Sequence, residues 1–227
     1  MSKLLVFQSD FGLCDGAVAA MIGVAHEVDM DLKIYNLTHD ITPYNIWEAS
    51  YRLFQTVQYW PKDTVFVSVV DPGVGTNRKS VVARTKDGHY IVTPDNGTLT
   101  HLKKYIGIDE IREIEASIHS RPEAAYSHTF HGRDIFANTG AKLASGKITF
   151  EEVGPLLSVD RIVELEIGKV VISENSVKGN IDILDIRFGS LWTNITMEDF
   201  FSIGFKYGDR VEVVIRNGPT LIYNNRI

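Results

Sequence analysis

The run VFVSVV at residues 65 to 70 offers no polar face, so the segment reads as a strand buried inside a sheet. It ends in DPGVGTNRKS, residues 71 to 80, where an acid, two glycines and an arginine follow within one loop. A strand of this kind needs a layer packed on each side, and the flanking sequence supplies candidates. KLLVFQSDFG at residues 3 to 12 is an apolar run ending in polar residues and glycine. DGAVAAMIGVAHEV after it has the alanines and apolar spacing of a helix packed on a sheet. DLKIYNL at 31 to 37 reads as another strand, followed by the loop THDITPYN. A helix then runs through IWEASYRLFQTVQYW and is stopped by Pro61. SVVART and HYIVT, joined by the turn signal KDG at 86 to 88, read as a hairpin. FHGRDIFANTGAKLASG has the pattern of a helix stopping near Gly146. The expected fold is therefore α/β, a mostly parallel sheet with helices on both faces.

Beyond EEVGPLL the pattern changes. RIVELEIGKVVI, VKGNIDILDI and DRVEVVIR alternate apolar and polar residues and leave little room for long helices. This predicts a smaller C-terminal antiparallel β domain, with the boundary placing 1–160 in the first domain and 161–227 in the second.

Charge and composition narrow the function. With 29 acidic residues against 23 Lys plus Arg, a broad phosphate-binding surface is disfavoured, which argues against a nucleic-acid partner. The single cysteine, Cys14, excludes an internal disulfide, and no apolar run approaches the roughly 20 residues needed to span a bilayer. A cytoplasmic protein without a membrane partner is expected.

Several short motifs invite chemistry. DFG at 10 to 12 has no glycine-rich loop before it, and HGRD at 131 to 134 is not a kinase catalytic loop. What remains is Asp10 at the C-terminal end of the first strand, where open α/β sheets bind ligands, with Asp15 following at a helix start. Asp15 reads equally well as a helix cap. GVGTNRKS resembles a phosphate-binding loop but carries Arg78 where that loop needs glycine. Asp71 and Arg78 taken singly fit an ordinary turn and a solvated cation; as a pair at a strand end they look like a site. His128 and His131 near Asp134 suggest a metal site only if His39 and Asp40 converge on them, and the reading adopted is no metal.

Taken in order, SDFGLCDG, ITPYN, VVDPGVGTNRKS, TPDNGTLT, TFHGRDIFA and DIRFGSLWTNI closely resemble the S-adenosyl-L-methionine (SAM) hydrolases, or SAM hydroxide adenosyltransferases, relatives of the fluorinases and chlorinases. The resemblance implies hydrolysis of SAM to adenosine and L-methionine by water or hydroxide attacking ribose C5′. SAM is then the substrate and no cofactor is needed. It further implies a homotrimer with sites shared between subunits. The catalytic set it implies is Asp71, Arg78 and His131. Implied substrate contacts are Asp10 on the ribose diol, Tyr44 and Phe130 about the ribose, Asp15 and Asp185 near the methionine end, and Phe188, Ser190 and Trp192 along the pocket.

Three departures from the family pattern stand out. Asp71, Val74 and Gly132 replace the fluorinase's halide-handling tyrosine, threonine and serine; Ser190 replaces a usual asparagine; and the chain stops at LIYNNRI, one strand short of its relatives. Alternative readings are a non-enzymatic SAM or adenosine sensor and, third, a SAM-dependent halogenase.

Overall fold

A computed structural model of the chain describes residues 4–121 and 130–227. The chain divides into two compact units, Met1–Leu165 and Glu166–Ile227.

The strands of the first unit are β1 (Leu4–Ser9), β2 (Lys33–Thr38), β3 (Val65–Val69), β4 (Ser80–Thr85), β5 (Tyr90–Pro94), β6 (Ile108–Glu113) and β7 (Leu156–Leu157). They form one sheet in the order β2-β1-β3-β5-β4-β6-β7. Strands β2, β1, β3 and β5 run parallel, whereas β4, β6 and β7 add an antiparallel flank. The KDG turn joins β4 to β5 as expected, with Val82 opposite Val92. The helices are α1 (Ala17–Val28), α2 (Ile46–Val57), α3 (Thr100–Tyr105), α4 (Ala116–His119) and α5 (Asn138–Ser145), the last continuing a π-helical turn over Gly132–Ala137.

Side-chain alternation along the central strands explains the layering. Leu5, Phe7, Val65, Val67 and Val69 face one cluster with Met21 and Ala25 of α1 and Phe136 and Ala141 of the π-turn and α5. Val6 and Phe66 face the other, with Leu53 and Val57 of α2 and Leu102 of α3. Each buried Val, Leu, Phe or Met among them contributes roughly 1.5–3 kcal/mol, and because both faces are covered the strands contain few polar residues. Gly140 sets the closest approach of α5 to β3, since a β-carbon there would lie 2.4 Å from Val67 Cγ2. The close contact fixes the helical segment that begins beside His131.

The second unit contains β8 (Val171–Ser173), β9 (Ser176–Lys178), β10 (Ile181–Asp185), β11 (Ser190–Thr193), β12 (Glu212–Asn217) and β13 (Thr220–Arg226), paired as three antiparallel ladders, with helix α6 (Met197–Ser202) between β11 and β12. Thr196 and Asp199 cap α6 reciprocally. Of residues 166–227, only Ile183 and Asp185 are buried in the isolated chain.

The first compact unit runs a little past the boundary expected at 160/161: Ile162 is buried in its core, Glu164 pairs with Lys103 at 2.5 Å, and the Leu165 amide donates to Thr100 Oγ1 at 2.9 Å. RIVELEIGKVVI alternates like a strand, yet only its last two residues enter one, the strand Val171–Ser173, since residues 163–170 pair with no neighbouring strand. Alternation produces a strand only where a ladder partner exists.

Candidate active site

The carboxyl ends of β1, β2 and β3, together with the start of the π-turn, enclose a cavity of about 260 Å³. This is where an open α/β sheet presents ligand-binding loops. Asp10, Phe11, Pro43, Tyr44, Val69, Asp71, Val74, Phe130, His131 and Gly132 line it. Of the residues singled out from sequence, the fold thus brings together Asp10, Tyr44, Asp71, Phe130 and His131.

The loop after β3 turns back on itself to bring Arg78 to Asp71. The Val74 amide donates to the Asp71 carbonyl at 3.2 Å, and Thr76 Oγ1 donates to the Gly73 carbonyl at 2.6 Å. Arg78 Nε then donates to Asp71 Oδ1 and Oδ2 at 3.0 and 2.9 Å, and Nη2 reaches Oδ2 at 2.5 Å. Nη1 donates to Ser80 Oγ at 2.8 Å, and the guanidinium carbon sits 5.2 Å from the Phe136 ring centre. Nη2 also lies 2.9 Å from His131 Nδ1. A guanidinium has no lone pair to offer, so it donates and Nδ1 accepts; the proton of a neutral ring is therefore on Nε2. Arg78 itself does not line the cavity. It lies behind Asp71 and His131 and holds both.

On the opposite wall, Asp10 Oδ2 accepts the Tyr44 amide at 2.8 Å. Tyr44 has φ +65°, a left-handed conformation that costs a bulky residue energy and persists only when surroundings impose it. The bond to Asp10 is one such constraint. The other is helix α2, whose cap Asn45 accepts the Glu48 amide at 3.0 Å, while Glu48 Oε2 accepts the Thr42 amide at 3.0 Å. Phe11 and Phe130 meet edge to face at 5.7 Å, and a β-carbon at Gly132 would come within 3.1 Å of both rings.

Just beneath this wall, Ser9 Oγ and His39 Nδ1 are 2.7 Å apart, both residues being buried. Burial pushes the His39 imidazole below its ordinary pKa, with Asp40 opposing the shift. The sequence reading weighed His39 only as a metal ligand and passed over Ser9; the one available signal was their position at the ends of neighbouring strands. Among the described residues, no group of three or more His, Cys, Asp or Glu is placed to hold a metal ion. His128 lies outside the described residues.

The remaining expected contacts lie elsewhere. Asp15 is exposed and does not line the cavity; its Oδ1 accepts the Ala17 amide at 2.8 Å in a turn just before α1, but the helix cap expected of it falls to Gly16. Asp185, Phe188, Ser190 and Trp192 belong to the second unit. There Asp185 pairs with Ser190 across the β10–β11 ladder, Trp192 Nε1 donates to Ser190 Oγ at 3.3 Å, and Phe188 is 85 % exposed between the strands.

Residues 5–154 match the family model for the SAM hydroxide adenosyltransferase N-terminal domain. The chain belongs to the SAM hydroxide adenosyltransferase family. Similarity extends past the matched domain. It is 36 % identical to the (R)-S-adenosyl-L-methionine hydrolase of Methanocaldococcus jannaschii over 219 residues, covering 94 % of this chain and 74 % of that protein. It is 28 % identical to the fluorinase of Actinopolyspora mzabensis, covering 93 % of this chain and 78 % of the fluorinase. A crystal structure of a Thermotoga maritima protein, described as uncharacterized and conserved, superposes with a TM-score of 0.86 at 35 % identity, covering 98 % of this chain and 81 % of that one. Membership in the SAM hydroxide adenosyltransferases accounts for the motif order read from the sequence, and the family's N-terminal domain contains every residue lining the cavity.

Proposed function

We propose that this SAM hydroxide adenosyltransferase hydrolyses SAM to adenosine and L-methionine. The observation that carries the reading is the bracket in which Arg78 holds Asp71 and His131 at the wall of a cavity whose other side is Asp10 and Tyr44. Asp10 receives the ribose hydroxyls, for which its carboxylate retains acceptor capacity beyond the one bond from Tyr44. Tyr44 and Phe130 flank the sugar. Water between Asp71 and His131 attacks C5′; the new C–O bond forms as C5′–S breaks, and the electron pair leaves on sulfur as neutral methionine. Nδ1 of His131 is committed to Arg78, so the water proton passes to Asp71 and then to solvent. Charge on the nascent hydroxide meets a sulfonium and is cancelled, which a site shielded from water favours. A carboxylate at position 71 repels a halide, and Val74 and Gly132 offer it no hydroxyl. This reading uses no cofactor.

The pocket is completed, in the same reading, by Asp185, Phe188, Ser190 and Trp192 of a neighbouring subunit in a homotrimer, with Asp15 near the methionine end. Support comes from the second unit, which exposes Leu184, Ile186, Leu191 and Met197 and buries a single apolar residue. Such a surface calls for cover by association. Among the described residues no helix is long and apolar enough to cross a membrane, and the exposed Cys14 suits a reducing compartment, so we read the chain as cytoplasmic.

Incubation with SAM in oxygen-18 water tests the chemistry. The label should appear in the 5′-hydroxyl of adenosine. Unlabelled adenosine, or methylthioadenosine as the main product, overturns it.

A further inference from the structure

Ser9 and His39 have no part in the mechanism above, yet they sit where two walls of the cavity are joined. Ser9 ends β1 and is fully buried; His39 follows β2 and is 4 % exposed. The hydroxyl is 2.7 Å from Nδ1 and also accepts the Phe11 amide at 3.3 Å. From the other side, the Gly12 amide donates to the His39 carbonyl at 2.8 Å. Between these two ties lies Asp10, whose carboxylate holds the Tyr44 amide. Neither Ser9 nor His39 lines the cavity, and His39 Nε2 is buried with no hydrogen-bond partner among the described residues. A buried hydroxyl–imidazole pair at this junction restricts the segment carrying Asp10 and Phe11 to one arrangement against the segment carrying Pro43 and Tyr44, because breaking it strands buried polar atoms.

We propose that Ser9 and His39 are positioning residues for sugar recognition: by joining the ends of β1 and β2 they aim the Asp10 carboxylate at the ribose hydroxyls. This rests on the reading of Asp10 as the ribose acceptor. Two substitutions of His39 separate positioning from mere packing. Asparagine places an amide group where Nδ1 stood and can still meet Ser9; glutamine reaches toward the Nε2 position and leaves Ser9 without that partner. Ser9→Ala removes the hydroxyl without adding volume.

The measurement is calorimetric affinity for adenosine and for 2′,3′-dideoxyadenosine, read as a ratio. The unmodified protein should prefer adenosine by about tenfold or more, as expected for hydroxyls bonded to a carboxylate. Asp10→Ala should abolish the preference. Ser9→Ala and His39→Gln should reduce it several-fold while dideoxyadenosine affinity stays within about twofold, and His39→Asn should retain it. Should Ser9→Ala not fold, the contrast between glutamine and asparagine at position 39 decides alone. A preference lost in Asp10→Ala but kept in Ser9→Ala and His39→Gln overturns the positioning role only. Equal weakening of both ligands in those variants also overturns it, since that marks a general packing role. A preference that survives Asp10→Ala overturns the ribose reading, and the positioning role falls with it.

Discussion

Arg78 Nη2 lies 2.9 Å from His131 Nδ1, although 53 residues separate the two in the chain. An arginine in that position dictates which nitrogen of the ring carries its proton, and through Asp71 it fixes the direction of a carboxylate at the same time. Arg78 therefore acts on the reaction through its neighbours.

Replacing this residue should leave binding nearly intact and damage the chemistry. Arg78→Ala is expected to lower kcat by about 100- to 1,000-fold, the scale of losing one preorganised active-site donor, here because Asp71 and His131 lose the group that holds them, with KM changed little. Arg78→Lys should recover only part, since an ammonium cannot span both Asp71 oxygens and Nδ1 together. Steady-state assays of adenosine release check this; near-normal turnover in the alanine variant would show that the bracket is structural.

Gly132→Ala pushes a methyl group against the Phe11 and Phe130 rings, 3.1 Å from each before relaxation. The rings must shift into the cavity or the helix start must move. We expect KM for SAM to rise and stability to fall by about 1–3 kcal/mol, the usual cost of overpacking. Kinetics and urea denaturation of one variant report both, and unchanged values would mean the rings have room to yield.

Acid should destabilise the first unit through His101. That imidazole is fully buried among Trp47, Tyr51, Phe54 and Tyr105, its Nδ1 is 2.9 Å from Ser50 Oγ, and burial, aided by Lys104, pushes its pKa down to about 4. The unfolded chain takes up this proton near 6.5 and the folded one only near 4, so stability falls as pH drops through that window and levels off below it. The loss is on the order of 3 kcal/mol, with His39 and His89 shifted in the same direction, also chiefly by burial. Denaturant midpoints between pH 7.5 and 4 check the slope, which His101→Gln should flatten.

If Asp10 and Asp185 serve one site from different chains, an Asp10→Ala protein and an Asp185→Ala protein should each be inactive. Mixed, denatured and refolded together, they should regain part of the activity, at interfaces where both intact halves meet. Activity of the mixture no higher than that of its parents would mean that each site is built within one chain.

Much of this was legible from residue order. Both faces of β1 and β3 are apolar, and that alone requires helices on each side; the loop from Asp71 to Arg78 announces itself because an ion pair at the end of a buried strand is uneconomical as a mere turn. Arg78 and His131 were grouped only through the family resemblance; the hydrogen bond between them could not be read from the residues, because it depends on how α5 lies on β3, a distance set by Gly140 against Val67. Ser9 and His39 look like ordinary strand-end polar residues until β1 and β2 are paired. The left-handed backbone of Tyr44 was hidden as well, since sequence flags that conformation only when the residue is glycine or asparagine. Helix α3 and strand β6 were also missed, since their short segments carry no long periodic pattern.

Tyr44 has a last implication. Its strained peptide is held by the same Asp10 carboxylate that is proposed to receive the sugar, so one charge serves the architecture and the ligand together. Any change at position 10 loosens the loop as well as the recognition, and a simple loss of affinity there is confounded. Separation of function has to come from the other end of the bond: Tyr44→Gly would spare the carboxylate while relaxing the backbone and removing the aromatic wall together.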